Sequence, residues 1–348
     1  MEILILSHAD TSIKYFLTQH VADYLRCNSH SVSFQHIASN YDICLFSENS
    51  TSLRKLTDLN VAKKYVVLDP KMNSTAQIHN IEHSDGAIVS SIEQAERALK
   101  YQRNIVVQPW FRFISTPTPK INSIGKDESC VNIVYHGNKV HLEAMRDTLA
   151  PALKRLSRER SFVFKALYNI RQLGIWKEFV PKGVHIEHIQ WDPETYLGHI
   201  ASADIGVLPN FLPTGPVTAN YLFHKLYSKS RINSKLNVNY NDYLHRYKFT
   251  SNSGRLYEYA LLGKPIVAEP TLSISQDIEH EKSGFLALSA EGWYRHLLTL
   301  IDNDDLRKVI GHNLKESFFK NHNKEFYLEN IMLFLDKTNK GEVRLGFE

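Results

Sequence analysis

Short apolar runs alternate with segments of helical periodicity along most of the chain. Met1 to Ser7 has the composition of a buried strand, and the apolar residues between Ile13 and Leu25 recur at the spacing of one helix face. Further apolar runs lie at 32–34, 43–46, 65–68, 86–89 and 105–107, with helical segments at 52–59 and 91–99. Strands and helices in alternation predict βαβ units around a parallel sheet. The first predicted domain spans 1–115.

A polar segment interrupts this alternation. Residues 115–128 contain two prolines and a glycine among polar residues, which predicts an interdomain linker over 116–130. A second series begins at Val131. Its predicted strands are 131–137, 162–166, 184–189, 205–208 and 265–268, and its predicted helices are 141–156, 194–203, 255–262, 290–301 and 304–319. The pattern therefore predicts a second α/β domain over 131–322 and a terminal segment, 323–348, with a helix at 324–335.

The stretch from Ser251 to Ala268 carries the clearest chemistry. A polar loop precedes a helix that starts near Arg255, and Gly263 and Pro265 are suited to end that helix before a short strand. The start of a helix presents unpaired N–H groups and the positive end of the helix dipole, so it favours anions. Arg255 adds a positive charge suited to a diphosphate. Glu258, one turn further, is placed to accept hydrogen bonds from the hydroxyls of a ribose.

This stretch, SNSGRLYEYALLGKPIVA, resembles the donor-site motif of retaining GT-B glycosyltransferases, in particular the family 4-like group (glycosyl transferases group 1). Similar segments occur in family order at 85–99, 105–110, 184–209 and 279–313. The resemblance implies two Rossmann-like α/β domains that face a central cleft. The N-terminal domain would lie on the acceptor side and the C-terminal domain would hold the nucleotide sugar. The C-terminal helix would cross back to the N-terminal domain.

The resemblance also assigns roles to individual residues. Glu258 would hold the ribose, and the diphosphate would lie against the loop and first helical turn, largely at backbone N–H groups of Asn252, Ser253, Gly254, Arg255 and Leu256. The family commonly has a second glutamate before this loop, near the sugar, where this chain has Thr250. The identity of the sugar is therefore left open.

Two further basic side chains are expected at the diphosphate. Lys139 follows the turn formed by Gly137 and Asn138, which are themselves expected to bind the donor, and Lys165 closes the apolar run FVFK. With Arg255 they would stabilise the negative charge of the leaving nucleoside diphosphate. His8, after the first strand, and His136, beside Gly137, are weaker candidates for contact with the acceptor or the donor sugar.

Composition narrows the setting. The chain of 348 residues is 43% hydrophobic and 22% charged, as in soluble globular proteins, and its net charge of +4 gives no argument for nucleic acid. Three scattered cysteines favour a reducing cytoplasm, and no signal peptide or membrane span is indicated. The basic and aromatic segment 211–250 is compatible with peripheral contact at the inner face of a membrane. The histidines form no metal-binding pattern, so no metal or cofactor is expected.

The predicted function is transfer of a hexose-type sugar from a nucleoside diphosphate sugar to a carbohydrate or lipid-linked glycan. Retention of configuration and a place in bacterial surface polysaccharide or lipopolysaccharide biosynthesis are implied by the resemblance. The alternatives are a nucleotide-sugar epimerase or a phosphorylase on the same fold, and a catalytically silent subunit that binds a sugar nucleotide or a glycan.

Overall fold

A computed structural model of the chain describes residues 1–6, 19–35, 40–47, 51–72, 74–109, 130–210 and 252–343. These residues form two compact units. The first unit joins 1–109 to 323–343, and the second joins 130–210 to 253–322. His8, Thr250, the segment 211–250 and all of the predicted linker except Cys130 lie outside the described residues.

The first unit contains a six-stranded parallel sheet in the order β2–β1–β3–β4–β5–β6. Its strands are β1 (Glu2–Leu6), β2 (Ser31–Ser33), β3 (Tyr41–Ser47), β4 (Ala62–Leu68), β5 (Gly86–Val89) and β6 (Ile105–Val107). Its helices in sequence order are α1 (Gln19–Cys27), α2 (Leu53–Asp58), α3 (Thr75–His83) and α4 (Ile92–Ala98). Serines begin three of these helices: Ser52, Ser74 and Ser91 each accept a hydrogen bond from the backbone N–H three residues later. Such N-caps satisfy donors that the helix itself leaves unpaired.

The second unit contains another six-stranded parallel sheet, in the order β12–β11–β10–β7–β8–β9. Its strands are β7 (Val131–His136), β8 (Phe162–Tyr168), β9 (Ile186–Gln190), β10 (Ile205–Leu208), β11 (Ile266–Ala268) and β12 (Phe285–Leu286). Counted from β9, this is the 3-2-1-4-5-6 order of doubly wound nucleotide-binding sheets. The order in which strands are added to the sheet changes direction between β7 and β10, and ligands bind at this position in sheets of this kind.

The helices of the second unit cover both faces of its sheet. They are α5 (Lys139–Ala144), α6 (Leu149–Leu156), α7 (Ile170–Leu173), α8 (Tyr196–Ala201), α9 (Gly254–Leu261), α10 (Leu272–Asp277), α11 (Ala290–Asp302) and α12 (Asp304–Asn321). Two parallel α/β units confirm the predicted fold class.

The last described helix, α13 (Lys324–Lys340), belongs to the first unit. Ile331, Phe334 and Leu335 are buried in the same core as Ile3 and Ile5. The Asn104 side chain also donates a hydrogen bond to Thr338 Oγ1 (2.9 Å). A Cβ on Gly86 would lie 2.8 Å from Phe334, so the absence of a side chain there lets the helix approach the sheet. The chain thus returns to the first unit, as the fold class predicts.

Several boundaries differ from the prediction, and two of the differences have a clear physical reason. The helix expected at 141–156 is divided into α5, a 3₁₀ turn at Met145–Asp147, and α6. Pro151 is the reason: it lacks an N–H and is tolerated in the first turn of α6, but it would break one continuous helix. The strand expected to end at Ala166 continues to Tyr168, because the apolar run itself continues to that residue.

Candidate functional site

Helix α9 lies over the point where the second sheet changes strand order. The Tyr259 hydroxyl donates to the carbonyl of Val134 on β7 (3.1 Å) and lies 3.5 Å from that of Val207 on β10. A Cβ on Gly206 would come within 2.4 Å of the Tyr259 ring, so glycine is required for this contact. Tyr259 therefore fixes the helix across the two strands that flank the expected ligand-binding crevice.

The Gly-Lys-Pro sequence after α9 is structural. Gly263 has φ +60°, which ends the helix in the left-handed conformation. The Lys264 ammonium donates to the carbonyls of Ala201 (2.6 Å) and Ala203 (2.7 Å) at the end of α8. A cation is favourable at the C-terminus of a helix. This part of the motif thus joins α9 to α8, and Lys264 is occupied away from the start of α9.

Glu258 is a buried acid on α9, with 2% of the residue exposed. Its Oε1 accepts from the Tyr196 hydroxyl (3.5 Å), and its Oε2 lies 3.7 Å from His136 Nε2. His136 Nε2 also lies 3.4 Å from the carbonyl of Arg255, which only accepts, so this nitrogen carries the hydrogen. Burial, together with the charge of Arg255, lowers the pKa of His136 to about 3. The tyrosine hydroxyl therefore contacts the carboxylate, and a neutral histidine lies beside it.

Arg255 lies in the first turn of α9. Its Nη2 donates to the carbonyl of Pro209 (3.3 Å) and to Asn210 Oδ1. Its Nη1 is buried and makes no hydrogen bond to any described residue. A cation at a helix N-terminus is electrostatically unfavourable without an anion, and a buried donor without an acceptor costs about 1–3 kcal/mol. Both features are relieved by an anion that accepts from Nη1, and arginine suits a phosphate oxygen pair.

The turn after β7 forms the neighbouring wall. Gly137 has φ +142°, and a Cβ there would lie 2.7 Å from the Tyr135 hydroxyl and 3.1 Å from Arg255 Cδ. The Tyr135 hydroxyl donates to the carbonyl of Asn138 (2.7 Å), whose side chain caps α5 by accepting from Val140 N–H (3.0 Å). Gly137 thus allows the close approach of Arg255, and the side chain of Asn138 is used within the turn.

The start of α9 matches the prediction only in part. Ser253 occupies the N-cap position and is buried, but its side chain makes no capping hydrogen bond. Asn252 and Gly254 stand on either side of it, at the same end of the helix. The N–H of Leu256 donates to the carbonyl of Ser253 (2.8 Å), and its side chain is fully buried. Leu256 therefore contributes packing, and the predicted use of its N–H is not what the structure shows.

The two predicted lysines contact groups other than Arg255 in the structure. Lys139 begins α5, and its ammonium donates to the carbonyl of Leu173 and lies 3.8 Å from Glu143 Oε1. Lys165 is 6% exposed and pairs with Val134 in the middle of the sheet, three residues before the end of β8. The interpretation of Lys165 as a strand-end residue is therefore wrong, since the strand continues past it.

Three site residues were not predicted from the sequence. Asn210 follows β10 after Pro209, and Glu269 directly follows β11. The backbone N–H of Asn210 donates to Glu269 Oε2 (2.7 Å). Tyr196 opens α8 and reaches Glu258. The signal for the first two was their position after apolar strands, at the edge where ligands bind. Tyr196 gave no signal, because its contact depends on how α8 and α9 pack.

No family model matches this chain, and no curated protein matches its sequence. Several solved structures match over nearly its whole length. Sucrose-phosphate synthase from Thermosynechococcus elongatus is 9% identical with a TM-score of 0.61, over 97% of this chain and 98% of that one. A glycosyltransferase from Rickettsia africae is 13% identical with a TM-score of 0.60, over 97% and 98%.

HepE from Anabaena, in complex with UDP-glucose, is 12% identical with a TM-score of 0.58, over 97% of this chain and all of that one. Identities this low show the fold alone. The chain has the two-domain GT-B fold of glycosyltransferases, as its donor-site resemblance predicts.

Two further observations concern membrane-spanning helices and metal binding. No helix in the described ranges is both long and apolar enough to cross a membrane. Among the same residues, no group of three or more histidine, cysteine, aspartate or glutamate side chains is arranged to hold a metal ion. That the site works without a metal stays a prediction.

Proposed function

We propose that this protein is a glycosyltransferase that moves a sugar from a nucleoside diphosphate sugar to a carbohydrate or lipid-linked acceptor. The observation that carries the proposal is the pairing of a half-buried cation and a buried acid on α9. Arg255 has a buried Nη1 with no acceptor among the described residues, and Glu258 is an oriented carboxylate one turn away. A cation suited to phosphate and an acid suited to a diol thus lie side by side at the β7–β10 switch point.

The spacing of the two groups fits a nucleotide. Three residues along an α-helix correspond to about 4.5 Å of rise. This is the scale that separates the hydroxyls of a ribose from its diphosphate. Glu258 would accept from both ribose hydroxyls, and Arg255 would donate to the diphosphate. The charge that develops on the leaving diphosphate would then meet a fixed donor in a site that is largely shielded from water.

The remaining parts of the proposal follow the family resemblance. The N–H groups at the start of α9, around Ser253 and Gly254, would face the diphosphate. Lys139, which follows the Gly137–Asn138 turn, would add a second positive charge by moving its ammonium from Leu173. A hexosyl donor, retention and a role in surface polysaccharide synthesis belong to the same proposal. The fold shared with HepE, which binds UDP-glucose, supports a nucleotide sugar as the donor class.

Nucleotide binding is tested by calorimetry with UDP, GDP, CMP and ADP. One nucleotide is expected to bind selectively, and Glu258→Gln is expected to weaken it by about 10- to 100-fold, because a charged hydrogen-bond acceptor is lost while its shape is kept. The exposed acid of α11 supplies the control: Glu291→Gln should bind as the wild type does. Equal affinity of wild type and Glu258→Gln would place the ribose elsewhere and contradict the assignment.

Reaction type is tested by following hydrolysis and consumption of the donor with and without glycan acceptors. A transferase consumes the donor in proportion to acceptor and releases the nucleoside diphosphate. An epimerase converts the donor without an acceptor, and a phosphorylase requires phosphate. A protein that binds the nucleotide and turns over no donor under any of these conditions would be a silent subunit.

A further inference from the structure

Two buried polar residues connect the carboxyl ends of β10 and β11. Asn210 is 5% exposed and Glu269 is 3% exposed. The N–H of Asn210 donates to Glu269 Oε2 (2.7 Å), and the N–H of Glu269 donates to the carbonyl of Leu208 (3.0 Å). Burial of a carboxylate costs free energy unless hydrogen bonds compensate it. A buried acid at this position therefore needs an explanation beyond packing.

Glu269 contacts the backbone of Asn210, and two further contacts hold the Asn210 side chain in one orientation. Its Nδ2 lies 3.4 Å from the carbonyl of Leu208, which only accepts, so the amide oxygen is the atom that faces Arg255. That oxygen accepts from Arg255 Nη2. The strand end, the acid and the amide thus form a chain of contacts that ends on the guanidinium.

The order of Glu269, Asn210 and Arg255 in this series of contacts determines which charged groups meet. A carboxylate in direct contact with Arg255 would form an ion pair and would compete with an anionic ligand. Here an uncharged amide stands between the acid and the guanidinium. Nη2 is occupied by Asn210, while Nη1 has no acceptor among the described residues. The guanidinium is held in position, and no acid in the described part of the chain is seen to contact it.

We propose that Asn210 and Glu269 are positioning residues that aim Arg255 Nη1 at the diphosphate of the donor. The inference rests on the proposed function, since it takes the anion to be that diphosphate. Their contribution is limited to ligands that carry phosphate, because they reach the ligand only through Arg255. Glu258, which is expected to hold the ribose, has different partners.

The test measures affinities for inorganic pyrophosphate, for UDP, GDP, CMP and ADP, and for the matching nucleosides. Glu269→Gln is expected to weaken the binding of pyrophosphate and of the selected nucleoside diphosphate about 10-fold. It is expected to change the nucleoside affinity less than 2-fold. Asn210→Asp keeps the shape but brings a carboxylate onto Arg255. This variant is expected to weaken diphosphate binding at least as much as Glu269→Gln does, with no loss of thermal stability. A purely structural role would instead lower the melting temperature and all affinities together.

The control is Asp277→Asn, which removes a buried acid of α10 that bonds to His322 (2.7 Å). It should leave both affinities unchanged. Diphosphate binding by Asn210→Asp at wild-type strength would overturn the inference, as would equal losses for nucleoside and diphosphate in Glu269→Gln. If pyrophosphate binds and is lost in the variants while no nucleotide is selected, the positioning role holds and the proposed function fails. A wild-type protein that binds neither overturns both.

Discussion

The carboxyl edges of the two sheets both carry buried polar side chains, but these side chains are paired in different ways. In the first unit Asp69 follows β4. Its Oδ1 accepts from Gln94 (2.9 Å) and Ser90 (3.2 Å), and its Oδ2 lies 2.5 Å from the Lys71 ammonium. In the second unit Arg255 is bonded on one side only. In the first network a lysine balances the charge of the carboxylate, whereas in the second a buried donor has no acceptor among the described residues.

This difference separates a structural network from a binding site within one molecule. The first network stabilises loops with unusual backbone: Asp69 and Met72 have φ of +49° and +52°, and Arg97 donates to the carbonyl of Met72 (2.8 Å). Such conformations persist where surrounding contacts hold them. The second network holds Arg255 at some cost in stability. We therefore expect substitutions in the two networks to have opposite effects on binding and on folding.

The largest effect is expected from Arg255→Met, which removes the charge and keeps much of the aliphatic length. Affinity for the selected nucleoside diphosphate should fall by about 100-fold, because the charged hydrogen bonds to phosphate are lost. The free energy of unfolding should stay within about 0.5 kcal/mol of wild type, since an unsatisfied buried donor is removed as well. Calorimetry and urea denaturation measure the two quantities. A large loss of stability with unchanged affinity would show that Arg255 is structural.

The converse is expected from Gln94→Ala in the first unit. Its amide donates to Asp69 and to the carbonyl of Pro70 (2.8 Å), and its oxygen accepts from Ser90 N–H (2.7 Å). Loss of these buried contacts should lower the free energy of unfolding by about 2 kcal/mol, with nucleotide affinity unchanged. Urea denaturation and calorimetry again provide the readouts. Reduced nucleotide affinity in a folded Gln94→Ala protein would contradict the conclusion that the first network is structural and the second is a binding site.

The smallest expected effect is on how the free energy of unfolding depends on pH. The pKa of His136 is lowered to about 3 in the folded protein, mainly by burial, from 6.5 in the unfolded chain. Below pH 6.5 the unfolded state therefore binds a proton that the folded state does not, so stability falls as pH falls between about 6.5 and 3. From pH 7.5 to 5.5 wild type should lose about 1 kcal/mol more than His136→Gln.

Urea denaturation at the two pH values measures this difference. Identical pH dependence of wild type and His136→Gln would show that His136 does not resist protonation.

The sequence allowed both sheets and the terminal helix to be predicted, because their signals are local. The return of that helix to the first unit was implied by the family resemblance alone. Apolar runs mark strands, and period changes mark helices. The motif around Arg255 and Glu258 also lies on one short segment, and it was found for that reason. Local signals failed at the end of β8, because the residues on both sides of Lys165 are apolar. Lys165 was therefore predicted to end the strand, although Ala166 to Tyr168 continue it.

The rest of the site depends on strand order, which no local pattern contains. His136 and Arg255 are 119 residues apart and meet because β7 lies beside β10. Asn210 and Glu269 are 59 residues apart and meet because β10 lies beside β11. Their position after strands was visible in the sequence. Their mutual contact was not, and it is the contact that gives these residues a role.

The place of α13 has a consequence for synthesis on the ribosome. The first unit contains Ile3 and Ile5 as well as Phe334 and Leu335 in one core, so this core stays incomplete until the chain has emerged past α13. The second unit lies between these segments and has all its strands earlier. Domains usually fold in the order in which they are made. Here the order of completion is reversed: nascent chains halted before residue 324 should hold a protease-resistant second unit and a first unit with an exposed apolar face.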